Sequence, residues 1–225
     1  MRIVDLSMTV EECDSAPFAP DETYFKIKPY INWDEKGFVS NFVHMTVHAG
    51  THIDSPHHFF RDKPSIERLP LEPLIGNGVV LDLTFKGSAN ARITPEDLDR
   101  AEQALTEKGV AIEPGGILLL RTDWPKGHTT TDPKWWNDSP CLTKEAAQFL
   151  ADKGAALVGI DSYNIDDTAD LTRPAHSILL GAGIPIVEHM CRLDQLPSNG
   201  FKFFAVPVKV KEMGTFPVRA FAIAD

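Results

Sequence analysis

Cysteine is scarce in this 225-residue chain: Cys13, Cys141 and Cys191 are odd in number, far apart and form no CxxC pair. That excludes a disulfide framework and a cysteine-built zinc site, and it points to a reducing compartment. Positive charge is also short, with 22 Lys and Arg against 32 Asp and Glu and a net charge of -10. A surface of that sign repels phosphate backbones and anionic lipid, so neither nucleic acid nor membrane is an expected partner. No apolar run approaches the roughly 18 residues of a membrane span. The opening MRIVDLSMTVEECD places acids where the apolar core of a signal peptide should continue. The expected location is the cytoplasm. Repeats and low-complexity segments are absent too, and the length suits one domain over residues 1–225.

What is present changes its rhythm near residue 75. Before that point the chain reads as extended segments, Ile3 to Met8, Tyr24 to Trp33 and Phe38 to His48, separated by turns containing Pro and Asp. In the third, Val39, Val43, Met45 and Val47 form an apolar face expected to pack, while His44, Thr46 and His48 fall on the other. From Gly78 onward short apolar runs alternate with helical patterns. GVVLDL, ILLLRT, ALVGI and IPIV read as strands, and Thr94-Pro95 and Thr143 read as helix starts. This βαβαβαβ order implies parallel strands. Phe201 to Val210 and Val218 to Ala224 add strands without long helices between them. The expected fold is α/β: a partly parallel central sheet with helices on one face and an antiparallel layer, from the N- and C-terminal segments, on the other.

Histidine marks the candidate site. Five of the eight, His44, His48, His52, His57 and His58, lie in the fifteen residues from His44 to His58, where even scattering puts fewer than one. Gly50 and Pro56, with β-branched Thr51 and Ile53, argue against a helix there. In an extended chain the even spacing of His48, His52, Asp54 and His58 puts them on one side. Two imidazoles and a carboxylate converging so make a facial triad that leaves positions open on a divalent metal. His44, His57, His128 and His189 read instead as hydrogen-bonded surface or core residues. Downstream, Asp161 follows the ALVGI strand, His176 opens a helix and Glu188 ends the IPIV strand. The carboxyl ends of strands are where sites gather in α/β sheets, although an acid there is more often a cap or turn former. Arg121 to Trp124 also follow a strand end and are candidate pocket residues.

The stretch His48-x-Gly50-Thr51-His52-x-Asp54-x-Pro56-x-His58-Phe59 resembles the signature of the metal-dependent cyclase-like hydrolases, the family of bacterial kynurenine formamidase and isatin hydrolase. The resemblance runs through Gly159-Ile160-Asp161, through His176 and Glu188, to Pro217-Val218-Arg219-Ala220. It implies that His48, His52 and Asp54 hold a first metal and that His176 and Glu188 hold a second, with Asp54 and Glu188 bridging. It implies that His58 is the proton donor and acceptor; Phe18, in the N-terminal loop that lacks the formamidase tryptophan, is the candidate aromatic wall for substrate, the alternative being a loop aromatic without that role. A three-layer β/β/α, swivelling-domain-like fold, one or two zinc or manganese ions per subunit, and a homodimer or homotetramer go with it. The reaction implied is hydrolysis of a small-molecule formamide, lactam, cyclic imide or lactone by metal-activated hydroxide. Two departures concern the substrate. Ala19 precedes Pro20 where formamidases carry tryptophan, and Tyr163-Asn164 replaces a Pro-Ser, so kynurenine as product is not carried over. The alternatives are a lyase or cyclase of secondary metabolism and a non-catalytic metal-binding protein.

Overall fold

The computed structural model describes residues 1–13, 22–129 and 132–224. In chain order the strands are β1 (Arg2–Asp5), β2 (Phe25–Ile31), β3 (Ser40–Met45), β4 (His52–Asp54), β5 (Ile75–Asp82), β6 (Arg92–Ile93), β7 (Ile117–Arg121), β8 (Cys141–Leu142), β9 (Leu157–Ile160), β10 (Ile186–Glu188), β11 (Phe201–Phe204), β12 (Thr215–Pro217) and β13 (Phe221–Ala224). The α-helices are α1 (Trp33–Lys36), α2 (Pro95–Thr106), α3 (Pro133–Asn137), α4 (Lys144–Asp152) and α5 (Pro174–Gly181). None is long and apolar enough to cross a membrane.

Nine strands form one mixed sheet in the order β1-β13-β11-β5-β7-β9-β10-β4-β12. Its centre, β5-β7-β9-β10, is parallel, as the alternating rhythm requires. Both flanks are antiparallel: β11, β13 and β1 on one side, β4 and β12 on the other.

Side-chain alternation divides the interior in two. Leu118 and Leu120 of β7, Val158 and Ile160 of β9 and Ile186 of β10 join Leu98, Ala101 and Leu105 of α2, Ala146 and Leu150 of α4 and Leu179 of α5 in one buried cluster. The opposite faces of the same strands, Ile117, Leu119, Leu157 and Val187, pack with Val4 of β1, Phe203 of β11 and Ala222 of β13. The sheet therefore curls until its antiparallel flank lies across the face away from the helices, producing the expected three layers from one continuous sheet. Local chemistry agrees with this. Thr94 and Asp97 form a reciprocal capping box with Pro95 at the first turn of α2, and Thr143 caps α4.

The expected strand from Phe38 to His48 is corrected in two respects. It runs from Ser40 only to Met45, and its apolar face packs only at the Met45 end, beside Tyr24 and Ala49, while Val39 and Val43 are exposed: β2 and β3 pair as a separate antiparallel ribbon. Tyr30 (66% exposed), Phe42 (61%) and Val43 (53%) stand in solvent there. Phe201 to Val210 likewise holds strand pairing only as far as Phe204.

Candidate metal centre

The site begins with three residues of β4. Period-two alternation sends Ile53 into the core and turns His52 and Asp54 together to the other face. β10 runs antiparallel beside it with Glu188 opposite His52 and Ile186 opposite Asp54, which brings the Glu188 carboxylate onto the same face. On the other side of β4, Thr215 of β12 faces Asp54 and donates its hydroxyl to Asp54 Oδ1.

His48 and His58 reach the same place without belonging to the strand, which corrects the expectation of one extended run. His48 sits in the turn before β4. Gly50 then reverses the chain with φ +66, and a Cβ there would come within 2.4 Å of Val10. His58 lies on a 3-10 turn, Pro56–His58, and the loop at Gly214 packs so closely on its backbone that a Cβ would meet His58 Cα at 2.7 Å. His176 comes from the first turn of α5.

The resulting distances are short. His48 Nε2 lies 3.9 Å from Asp54 Oδ1 and His52 Nε2 3.4 Å from Glu188 Oε2. His176 Nε2 is 3.4 Å from Asp54 Oδ2 and 3.7 Å from Glu188 Oε1. The His58 ring is centred 5.0 Å from that of His48 and 6.0 Å from that of His176. His52, Asp54, His176 and Glu188 are each at most 3% exposed. All six sequence-predicted residues are thus brought together. Phe18 lies outside the described residues.

Hydrogen bonds fix which nitrogens carry lone pairs. His52 donates from Nδ1 to the Gly50 carbonyl at 2.8 Å, and His176 donates from Nδ1 to Asp166 Oδ2 at 2.7 Å. In both, Nε2 is turned towards the carboxylates, where a proton or a cation can sit, the arrangement of metal-binding histidines whose second nitrogen is held from outside. Glu188 Oε1 accepts from the Ile165 N–H at 2.7 Å. His52 Nε2 and Asp54 Oδ2 are buried without a hydrogen bond, an arrangement that costs several kcal/mol, of the order of ~1–3 per group, unless a cation completes it. Neither ring nitrogen of His58 is hydrogen-bonded among the described residues.

Ionisation follows from crowding. Burial and the neighbouring His52 push His48 down to about 3, against the pull of Asp54. Burial opposes a proton on His176, yet its bonds to Asp166 and Asp54 raise it to about 10. Burial works against the Asp54 anion, but His176, His52, His58 and His48 together hold it far below the usual carboxylate range. Burial lowers His58. The cluster wants positive charge between its carboxylates, and a donor set of nitrogen and oxygen alone suits a divalent cation of the zinc or manganese kind.

The centre forms part of the lining of a cavity of about 560 Å³ whose other walls include Phe59, Trp136, Tyr163, Asn164 and Arg173. Tyr163 and Asn164, the positions that depart from the formamidase pattern, are therefore on the wall. Arg121 to Trp124 are not: Thr122 and Asp123 donate to the buried Asp161, which burial raises to about 6 despite these bonds. Three residues at the centre escape a reading of the sequence. Thr215 and Asp166 carry no local motif. One signal pointed to Asp166: the helix that starts Arg173-Pro174 has no Ser, Thr or Asp cap of its own, so its N–H groups need an outside acceptor, and Asp166 takes those of Ala175 and His176. His189, beside Glu188, is the third.

Fold and centre together define an α/β protein built to hold a divalent cation at the floor of a small-molecule cavity. The chain belongs to the Cyclase family, whose model matches residues 4–167. It is 27% identical to a kynurenine formamidase of Salinibacter ruber, covering 98% of this chain and 96% of that one. Isatin hydrolase A of Labrenzia aggregata, solved with benzyl benzoate, superposes with a TM-score of 0.86 at 28% identity, over 99% of this chain and 93% of that one. A "predicted metal-dependent hydrolase from Bacillus stearothermophilus" does so at 0.75 and 27%, over 98% and 97%.

Proposed function

We propose that this chain is a divalent-metal-dependent hydrolase of non-peptide C–N bonds in small molecules, with formamides, lactams and cyclic imides as the substrate class and lactones as a related one. The observation that carries the reading is the convergence of His52, Asp54, His176 and Glu188 on one another, buried, with the ring nitrogens of both histidines assigned by outside bonds. Relatives along the full length named for formamide and isatin hydrolysis support it. In this reading His48, His52 and Asp54 would hold one cation, and His176 and Glu188, beside Asp54, would hold a second. Zinc and manganese both match the donors, at one or two ions per subunit.

When bound, such a cation lowers the pKa of water from 15.7 towards about 7 and polarises a carbonyl. The chain's residues do the rest. Thr215 and the Ile165 N–H hold the Asp54 and Glu188 carboxylates in place, and Asp166 keeps the His176 ring turned towards them. Phe59, Trp136 and Tyr163 offer aromatic surface for a planar substrate and exclude water around it. His58, untethered at the cavity wall and lowered by burial, takes a proton as the carbonyl carbon gains OH and returns it to the departing nitrogen. We place the protein in the cytoplasm as one functional unit over residues 1–225, working as a homodimer or homotetramer through the exposed β2–β3 ribbon.

Metal analysis of the purified protein, followed by a screen of formamides, isatin, cyclic imides and lactones with and without chelator, tests this. Products whose summed mass exceeds that of the substrate by one water, formed only with metal, are expected: a single opened molecule from a ring, an amine and formate from a formamide. Products that have taken up no water make the protein a cyclase or lyase, and a protein that binds no zinc or manganese removes the reading.

A further inference from the structure

His189 follows Glu188 directly and sits in the left-handed region at φ +56, a conformation that turns its side chain back towards the site. Its backbone is pinned there: the carbonyl accepts from Thr51 Oγ1 at 2.6 Å, and the N–H donates to the Ser162 carbonyl at 3.2 Å. Strained conformations held from several sides in this way gather at functional sites. The ring is 2% exposed, lies edge-on to His52 with centroids 4.7 Å apart, and stacks on Tyr163. Its Nε2 donates to the Tyr163 carbonyl at 2.6 Å, so the lone pair belongs to Nδ1, which is buried with no hydrogen-bond partner.

One ring N–H is thus given to a fixed outside acceptor, as in His52 and His176, and the other nitrogen is left without a partner, as in His52. His52, Glu188 and His189 moreover offer one ligand atom each within 4.8 Å of one another. A histidine kept only for packing has no need of a bare, buried nitrogen, which goes unsolvated and costs stability.

We infer that His189, through Nδ1, is a cation ligand alongside His52 and Glu188, a sixth first-contact residue for the centre; this rests on the metal-dependent reading above. His52 then faces a position ligated from two sides of the β4–β10 pair, with Thr51 coupling the two strands at the turn.

The test uses the whole protein labelled with ¹⁵N-histidine and probed with Zn²⁺ alone. Addition of Zn²⁺ is expected to shift His189 Nδ1 together with His52 Nε2. Zn²⁺ titration of His189→Gln and His189→Asn, each checked for a native circular dichroism spectrum, is expected to show affinity reduced by about 10- to 100-fold or more. An unmoved His189 Nδ1 in a protein that binds Zn²⁺ through His52 overturns this inference and leaves the hydrolase reading intact. A protein in which no histidine nitrogen responds to Zn²⁺ overturns both.

Discussion

Asp166 touches neither cavity nor carboxylate, yet it accepts from three groups at once: the Ala175 N–H, the His176 N–H and the His176 ring. Replacing it by Asn puts an amide where a ring N–H must be received, and the His176 tautomer is no longer assigned. Asp166→Asn is expected to weaken metal binding about 10- to 100-fold, read by titration, with native secondary structure retained. His58→Ala should do the reverse: turnover falls by about 10²- to 10⁴-fold while metal content stays that of the parent, because no outside bond fixes the His58 ring as a ligand. Loss of metal from that variant would reassign His58. The five local residues His48, His52, Asp54, Gly50 and His58 were legible because they crowd one short segment. Asp166 left only the uncapped start of α5 as a hint, while His189 read as a packing or surface histidine and Thr215 carried no motif, because their links to the centre depend on tertiary contacts that no spacing in the chain encodes.

Among the elements, the parallel strands were the easiest to read. Strands covered on both faces appear as unbroken apolar runs, such as Ile117 to Leu120, and the helices between them open on Thr94 and Thr143. The β2–β3 ribbon was legible as extended chain but not in its surroundings. Its alternation promised a buried face of Val39, Val43, Met45 and Val47, and Val39 and Val43 instead remain open, with Tyr30 and Phe42 exposed on the same ribbon. Exposed apolar groups gathered on one ribbon mark a contact surface. The double substitution Phe42→Asp and Val43→Lys is expected to convert the proposed oligomer to monomers in light scattering without lowering the melting temperature of the subunit. An unchanged mass would move the contact elsewhere on the molecule.

At the scale of the whole molecule, the metal-free protein carries opposing titrations. His176 is raised to about 10 from an unfolded value near 6.5, so its contribution to stability is complete below about 6.5 and is lost as pH climbs through 10. His48 is lowered to about 3, so below 6.5 the unfolded chain takes up the proton that the folded one refuses, and stability falls towards acid. Burial lowers His58 and His189 as well, in the same sense. Metal-free protein should therefore melt highest near pH 6.5, and a bound cation should abolish the alkaline fall by replacing the proton on His176. At a free concentration 100-fold above its dissociation constant the cation adds about 2.7 kcal/mol, or roughly 5–11 °C for a chain of this size. Scanning calorimetry across pH with and without chelator checks both. An identical pH profile in the two would mean that His176 is not displaced of its proton.

Strand β4 is only three residues long, and its neighbours come from residues 186–188 and 215–217. A ribosome-bound chain that has emerged only as far as α5 has made every histidine up to His176 but owns neither of the strands that hold His52 and Asp54 in register. Cation capture through His52 and Asp54 is thus deferred until the strands at residues 186–188 and 215–217 have been made. Late-made strands of the sheet thus lock the first-made piece of the site.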